Sequence, residues 1–175
     1  MIVPVTKRRG NELLMYYCTT TPVSSLQEKI PAFVAEDFVF QLGGPDPDAL
    51  FDGVRVRSAS VAQFPALEGQ GLSTILVNIG PCGINQPRVH PRATTMLYMV
   101  EGVDLRVGFV EENGGDGTVV NDVSTGDLSF VPQGLVHYQQ NLGCEPATIL
   151  MLLNSDDAGE VVLSSVLFAL PTELL

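Results

Sequence analysis

The sequence predicts an all-β domain, a sandwich or a closed barrel. Short apolar-alternating runs recur from residue 54 to residue 153. Turns rich in Gly, Pro, Asn and Asp separate them at regular spacing. No sustained helical period appears before the tail. The 175 residues suffice for one domain with one sizeable core. A composition of 45% hydrophobic and 17% charged residues excludes a disordered chain.

The elements follow in chain order. Residues 1–35 read as an N-terminal extension of mixed polarity, with a short helix expected at Ser25 to Ile30. The β domain with its tail is placed at 36–175. Glu36 to Gln41 reads as a strand, and Gly43 to Asp48 as a turn. Val54 to Val61 alternates apolar with polar residues, the mark of a half-buried strand. Leu72 to Ile79 ends at Gly80-Pro81, and Thr95 to Val100 ends at Glu101-Gly102. Leu105 to Val110 and Thr118 to Val123 flank the flexible turn Asn113 to Gly117. Leu128 to Val131, Val136 to Gln140 and Ala147 to Leu153 complete the strands. The tail, Asp157 to Leu175, reads as partly helical, with Pro171 interrupting it.

Charge narrows the partners. Twenty acidic residues against nine basic ones give a net charge of −11, and Lys7, Arg8 and Arg9 sit together at the start. Too few bases remain for a phosphate-binding face, so no nucleic acid is expected as a partner. The same repulsion disfavours anionic membranes. No run of about 18 apolar residues suggests a membrane span. No signal-like stretch follows the basic N-terminus and no Asn-x-Ser/Thr sequon occurs, which leads to the expectation of a cytoplasmic protein. The three cysteines are too few for a disulfide scaffold, and the odd number leaves at least one free thiol.

The chain has two histidines, His90 and His137, each in a dense motif on a separate strand. The first motif runs from Gly83 through Arg88-Val89-His90-Pro91-Arg92-Ala93-Thr94-Thr95 to Glu101-Gly102. The second comprises Gly126, Pro132, Gly134, His137 and Asn141. From about Glu36 to Pro171 this pattern resembles the cupins, within them the germin-like family and its fungal, spherulin-like branch. The second box of that family is complete. The first keeps His90 and Gly102, but Cys82 stands at the leading Gly, Arg88 at the first His and Thr95 at the Glu. The resemblance implies a single-domain cupin, an antiparallel jelly-roll β-barrel with an N-terminal extension and a short C-terminal helical segment. It also implies a homodimer, because germin-like cupins bury a sheet edge against a partner.

In that family three imidazoles and one carboxylate hold manganese or another divalent ion. Here one ligand position is a permanent cation and another a weak neutral donor, so no cofactor is expected. A divalent metal on His90 and His137 is kept as an alternative. Strand alternation places Gln86, Arg88 and His90 on one inward face. Thr95, Leu97 and Met99 share another, and Gln139 shares the face of His137; Tyr98 and Tyr138 point outward. The substrate-binding candidates are therefore Arg88, Gln86, Thr95, Leu97, Met99 and Gln139. His90 and His137 are the candidate acid/base pair, with His137 favoured as the base because its motif is intact. Arg88 would anchor an anion or enolate. The leading reading is a metal-independent isomerase, cyclase, dehydratase or decarboxylase acting on a small anionic or enolisable molecule, set by the fungal resemblance in secondary metabolism. A non-enzymatic ligand-binding cupin and a germin-type metal oxidase or dismutase are the alternatives.

Arg92 is expected to serve the fold, and Asn141 to tie a turn. In cupins the strand of the first motif pairs antiparallel with that of the second. Cys82 then falls beside Cys144, either as a disulfide or as two buried thiols. Cys18 is expected as a lone thiol.

Overall fold

The computed structural model describes residues 2–9, 12–19, 33–44, 49–51 and 53–171. They fall into two compact units, Met1–Val39 and Phe40–Leu175. Among the described residues no helix is long and apolar enough to cross a membrane.

The first unit holds strands β1 (Ile2–Arg9) and β2 (Glu12–Thr19), an antiparallel hairpin with Ile2 opposite Thr19 and Arg9 opposite Glu12. The sequence reading expects no strand here; Pro4 and the basic run 7–9 hide the alternation. Cys18 lies on β2. The helix expected at Ser25 to Ile30 lies outside the described residues. The strand expected at Glu36 to Gln41 is replaced by a 3-10 turn, Ala35–Phe38. Asp37 causes it: its carboxylate accepts from the Val34 N–H at 2.8 Å, and its own N–H donates to the Val34 carbonyl at 2.9 Å. Such local bonds compete with strand pairing.

In the second unit β3 (Ala49–Phe51), β4 (Val54–Ala59), β5 (Ser73–Ile79), β6 (Ile84–Val89) and β7 (Thr95–Glu101) come first. Then follow β8 (Leu105–Val110), β9 (Thr118–Val123), β10 (Leu128–Val131), β11 (His137–Asn141), β12 (Ala147–Leu153) and β13 (Val161–Val162). The short helix Leu163–Phe168 follows at once. A six-stranded sheet runs β10-β7-β12-β5-β4-β3 and a five-stranded sheet runs β13-β6-β11-β8-β9, antiparallel throughout. This is the expected all-β jelly roll.

Alternation explains its core. On β7, Thr95, Leu97 and Met99 are buried while Met96, Tyr98 and Val100 are exposed. On β12, Ala147, Ile149, Met151 and Leu153 point inward, to meet Val54, Val77, Ile79, Leu105 and Val107. Each large side chain so buried contributes about 1.5–3 kcal/mol. Gly102 is required where it stands: its φ is +116°, and a Cβ there would lie 3.0 Å from the Ala147 Cα.

The β6–β11 pair carries both motifs. His137 lies opposite Arg88 and Gln139 opposite Asn85, so β6 spends three residues where β11 spends two. The bulge falls at Gln86-Pro87, since proline cannot donate to the ladder. At the far end the Asn141 amide ties the turn as expected. Its Nδ2 donates to the carbonyls of Ile79, Gly80 and Glu145, and its Oδ1 accepts from the Gly143 N–H. There the Cys82 N–H donates to the Gly143 carbonyl at 3.3 Å, which brings Cys82 beside Cys144. Both thiols are free and exposed, so the expectation of buried thiols is corrected. Cys82 takes a φ of +57°, a left-handed conformation suited to the glycine it replaces in the family pattern.

Candidate functional site

His90 follows β6, and His137 opens β11. Their rings lie 5.2 Å apart, centroid to centroid, and both are buried. Each Nδ1 is held by a backbone carbonyl, His90 by Gly159 at 2.7 Å and His137 by Leu135 at 3.0 Å. A neutral imidazole in such a bond carries its proton on Nδ1, which leaves the Nε2 lone pair open. Neither Nε2 has a partner, nor has the amide nitrogen of Gln139, two residues along β11 from His137. The two motifs thus converge on two unprotonated nitrogens inside the barrel.

Burial drives the electrostatics. The His137 pKa is lowered to about 4, chiefly by burial, with the nearby His90 and Arg88 as smaller lowering causes and the Leu135 carbonyl opposing them. The His90 pKa also lies below 6.5, chiefly through burial, with Arg88 a smaller cause. The Gly159 carbonyl and Glu160 oppose that shift. Both rings are neutral at pH 7, and His90 has the better-supported positive form.

Arg88 is buried, but its guanidinium is engaged. Nε donates to the Gln86 carbonyl at 2.9 Å, Nη2 to the Asn85 side chain, and Nη1 reaches the Glu160 carboxylate at 3.5 Å. Asn85 in turn donates to Gln139 Oε1 at 2.7 Å. Gln86 corrects the strand reading: the bulge turns it outward, where it is exposed and accepts from the Ser164 hydroxyl at 2.9 Å. Asn85 takes the inward position instead. Proline at 87 was the available signal, since a proline within a strand marks a bulge and a change of face. Thr95, Leu97 and Met99 lie on the inward face of β7 and Gln139 on that of β11, all buried.

Glu160 and Gly159 had no signal in the sequence. They belong to the segment after β12, which is strapped across residues 88–92 of the first motif. Arg92 holds it through the Asp157 carbonyl and carboxylate, both at 2.8 Å, and its N–H donates to the Ala158 carbonyl. Its expected structural role is met. A cleft of about 190 Å³ opens between this strap and strands β4 and β5, and His90 stands in its wall. His137 does not line it.

The donor set does not make up the four-ligand site implied by the family resemblance. The two open Nε2 atoms suit a metal. At the other two positions stand a guanidinium already bonded to Asn85 and Glu160, and the buried Thr95 hydroxyl. Among the described residues no cluster of three or more His, Cys, Asp or Glu side chains could hold an ion.

Comparison with known proteins agrees with this fold. The cupin family model matches residues 40–175. "Germin-like protein 1" of Brassica napus is 36% identical over 143 residues, which cover 81% of this chain and 68% of that protein. "Germin-like protein subfamily T member 2" of Arabidopsis thaliana is 41% identical over 136 residues, 77% of this chain and 60% of the relative. The chain therefore spans less than two thirds of that second relative's length. A solved oxalate oxidase superposes with a TM-score of 0.75 at 27% identity, over 98% of this chain and 84% of the other. With its two-sheet jelly roll, its complete second box and these relatives, the chain belongs to the cupin family as a germin-like protein.

Proposed function

We propose that this germin-like cupin is a metal-independent acid/base enzyme, an isomerase or lyase acting on a small enolisable molecule. The observation that carries the reading is the pair of buried, unpartnered Nε2 atoms of His90 and His137, each with its Nδ1 held by a carbonyl. His90 is the base, because the cleft reaches it. Its Nε2 takes the proton from a carbon next to a carbonyl, leaving an enediolate and an imidazolium. Return of that proton to the neighbouring carbon completes an isomerisation. A base of lowered pKa suits a proton already acidified by a carbonyl. The hydroxyl proton on the carbon that lost its hydrogen passes to the former carbonyl oxygen, which completes the exchange, while His137 stands 5.2 Å from the His90 ring, outside the cleft wall. The positive charge of Arg88, felt by both rings, stabilises the enediolate through its field. Thr95, Leu97, Met99 and Gln139 wall the lumen. A setting in secondary metabolism is part of this proposal.

The test is α-proton exchange. In D₂O the protein should speed deuterium incorporation into dihydroxyacetone, followed by NMR, with the rate unchanged by EDTA. Exchange at the buffer rate, or exchange abolished by the chelator, would overturn the reading.

A homodimer is proposed with it. Met96, Tyr98, Leu128, Phe130 and Leu152 are exposed on the outer face of neighbouring strands β10, β7 and β12, with Phe130 opposite Met96 and Leu128 opposite Tyr98. A continuous apolar face of this kind marks a contact surface. Sedimentation should give a dimer at micromolar concentration, and Phe130→Asp should make it monomeric. A monomeric wild type would refute the expectation.

A further inference from the structure

A groove runs along the outer face of the six-stranded sheet. On β4, Val54 and Val56 point into the core, so Arg55, Arg57 and Ala59 alternate onto the opposite face. Register places Arg55 opposite Asn78, Arg57 opposite Leu76 and Ala59 opposite Thr74, so this face continues across β5. Residues 40–44 and the 3-10 turn Pro65–Leu67 border it, and its two parts meet at Leu42.

One part is apolar and has a volume of about 450 Å³, within the range of small-molecule sites. Ala59 and Leu72 lie along it, with Leu67, Leu152 and the stacked rings of Phe40 and Phe64, 5.7 Å apart, as its sides. Its two hydroxyls, Ser73 and Thr74, give their protons to the Ser155 and Met151 carbonyls. The other part, of about 240 Å³, is cationic and is lined by Arg55, Arg57 and Asn78. Asn78 Oδ1 accepts from the Thr148 hydroxyl at 3.0 Å, so the group that Asn78 has left to offer is its amide N–H. The Arg57 guanidinium lies 5.9 Å over the Phe40 ring, which sets a cation where the two parts join. Gly44 permits this approach, since a Cβ there would lie 3.0 Å from Arg57 Nη2. Among the described residues no Asp or Glu lines either part.

An apolar wall alone would accept any oil-like molecule. Guanidinium groups at one end select a molecule with an anionic head, and their planar fork matches a carboxylate. The net charge of −11 repels an anionic bilayer, so the occupant is a free acid and not a membrane surface. We propose that this groove binds a free fatty acid of medium chain length. Its tail lies in the apolar part, and its carboxylate meets the Arg55 guanidinium and the Asn78 amide within the field of Arg57. The groove is on the face of β4 and β5 turned away from the barrel lumen, so the inference stands apart from the acid/base reading of His90.

The experiment is calorimetric titration of the full chain with sodium octanoate, 1-octanol and sodium acetate at one ionic strength. Octanoate should bind saturably at one molecule per chain. Octanol, which lacks the charge, should bind at least tenfold more weakly. Acetate, which lacks the tail, should bind at least 100-fold more weakly, since each buried methylene adds about fourfold. Arg55→Ala should cost octanoate tenfold or more and leave octanol unchanged. Leu72→Ser should weaken both about fivefold. Both side chains are exposed, so neither change threatens the fold. Octanol binding as tightly as octanoate would overturn the proposal, as would wild-type octanoate affinity in Arg55→Ala or binding that never saturates. Acetate binding as tightly as octanoate would reveal a bare anion site and overturn it too.

Discussion

His90→Ala is expected to lower the rate of α-proton exchange by roughly 10²–10⁴-fold, the usual worth of a positioned general base. The defect should appear in kcat more than in KM, because the lost proton acceptor acts mainly in the transition state. His137→Ala should cost less, since the cleft reaches His90 and not His137. The pH profile adds a second signature. Burial lowers the His90 pKa below 6.5, so its basic form persists at neutral pH and is lost only as pH falls through the lowered value. The acid limb of kcat/KM should therefore lie below 6.5. His137, at about 4, should contribute no limb near neutrality. Wild-type rates from His90→Ala would remove the catalytic role from this residue.

Most of the barrel was legible because inward and outward residues alternate cleanly. Thr95, Leu97 and Met99, and likewise His137, Gln139 and Asn141, occupy the buried faces that alternation assigns them. The reading failed where a local feature broke the period. Pro87 forces a bulge, so Gln86 turns out and Asn85 turns in. The Asp37 carboxylate captures the Val34 N–H, so the segment at 36–41 begins as a 3-10 turn. The site was legible as far as its motifs extend. The strap was not, because Gly159 and Glu160 reach His90 and Arg88 from about seventy residues away, as the 69- and 72-residue separations of those contacts record. Neither periodicity nor spacing encodes such a contact. The effect on Arg88 is large: its charge was readable, but not the partners that occupy its nitrogens.

The double change Arg88→His with Thr95→Glu should create a metal site. It supplies a third imidazole opposite His137 and a carboxylate at a buried inward position on β7. It also removes the guanidinium whose charge reaches both rings. The donor set then becomes three nitrogens and one oxygen, suited to a divalent first-row ion. Isothermal titration with MnCl₂ should show affinity raised by ~100-fold or more over wild type. Arg88→His alone should give only part of the gain, and it controls for loss of the Glu160 partner. Equal affinity in the wild type and the double variant would show that the inherited geometry no longer supports a metal.

The two histidines of this germin-like cupin are proposed to work without the metal ion that the family resemblance implies. Elemental analysis of the protein, purified without chelator and measured beside its His90→Ala variant, tests it most directly. Mn, Fe, Cu and Zn should lie far below one per chain in both. Close to one metal per chain in the wild type, lost in His90→Ala, would contradict it.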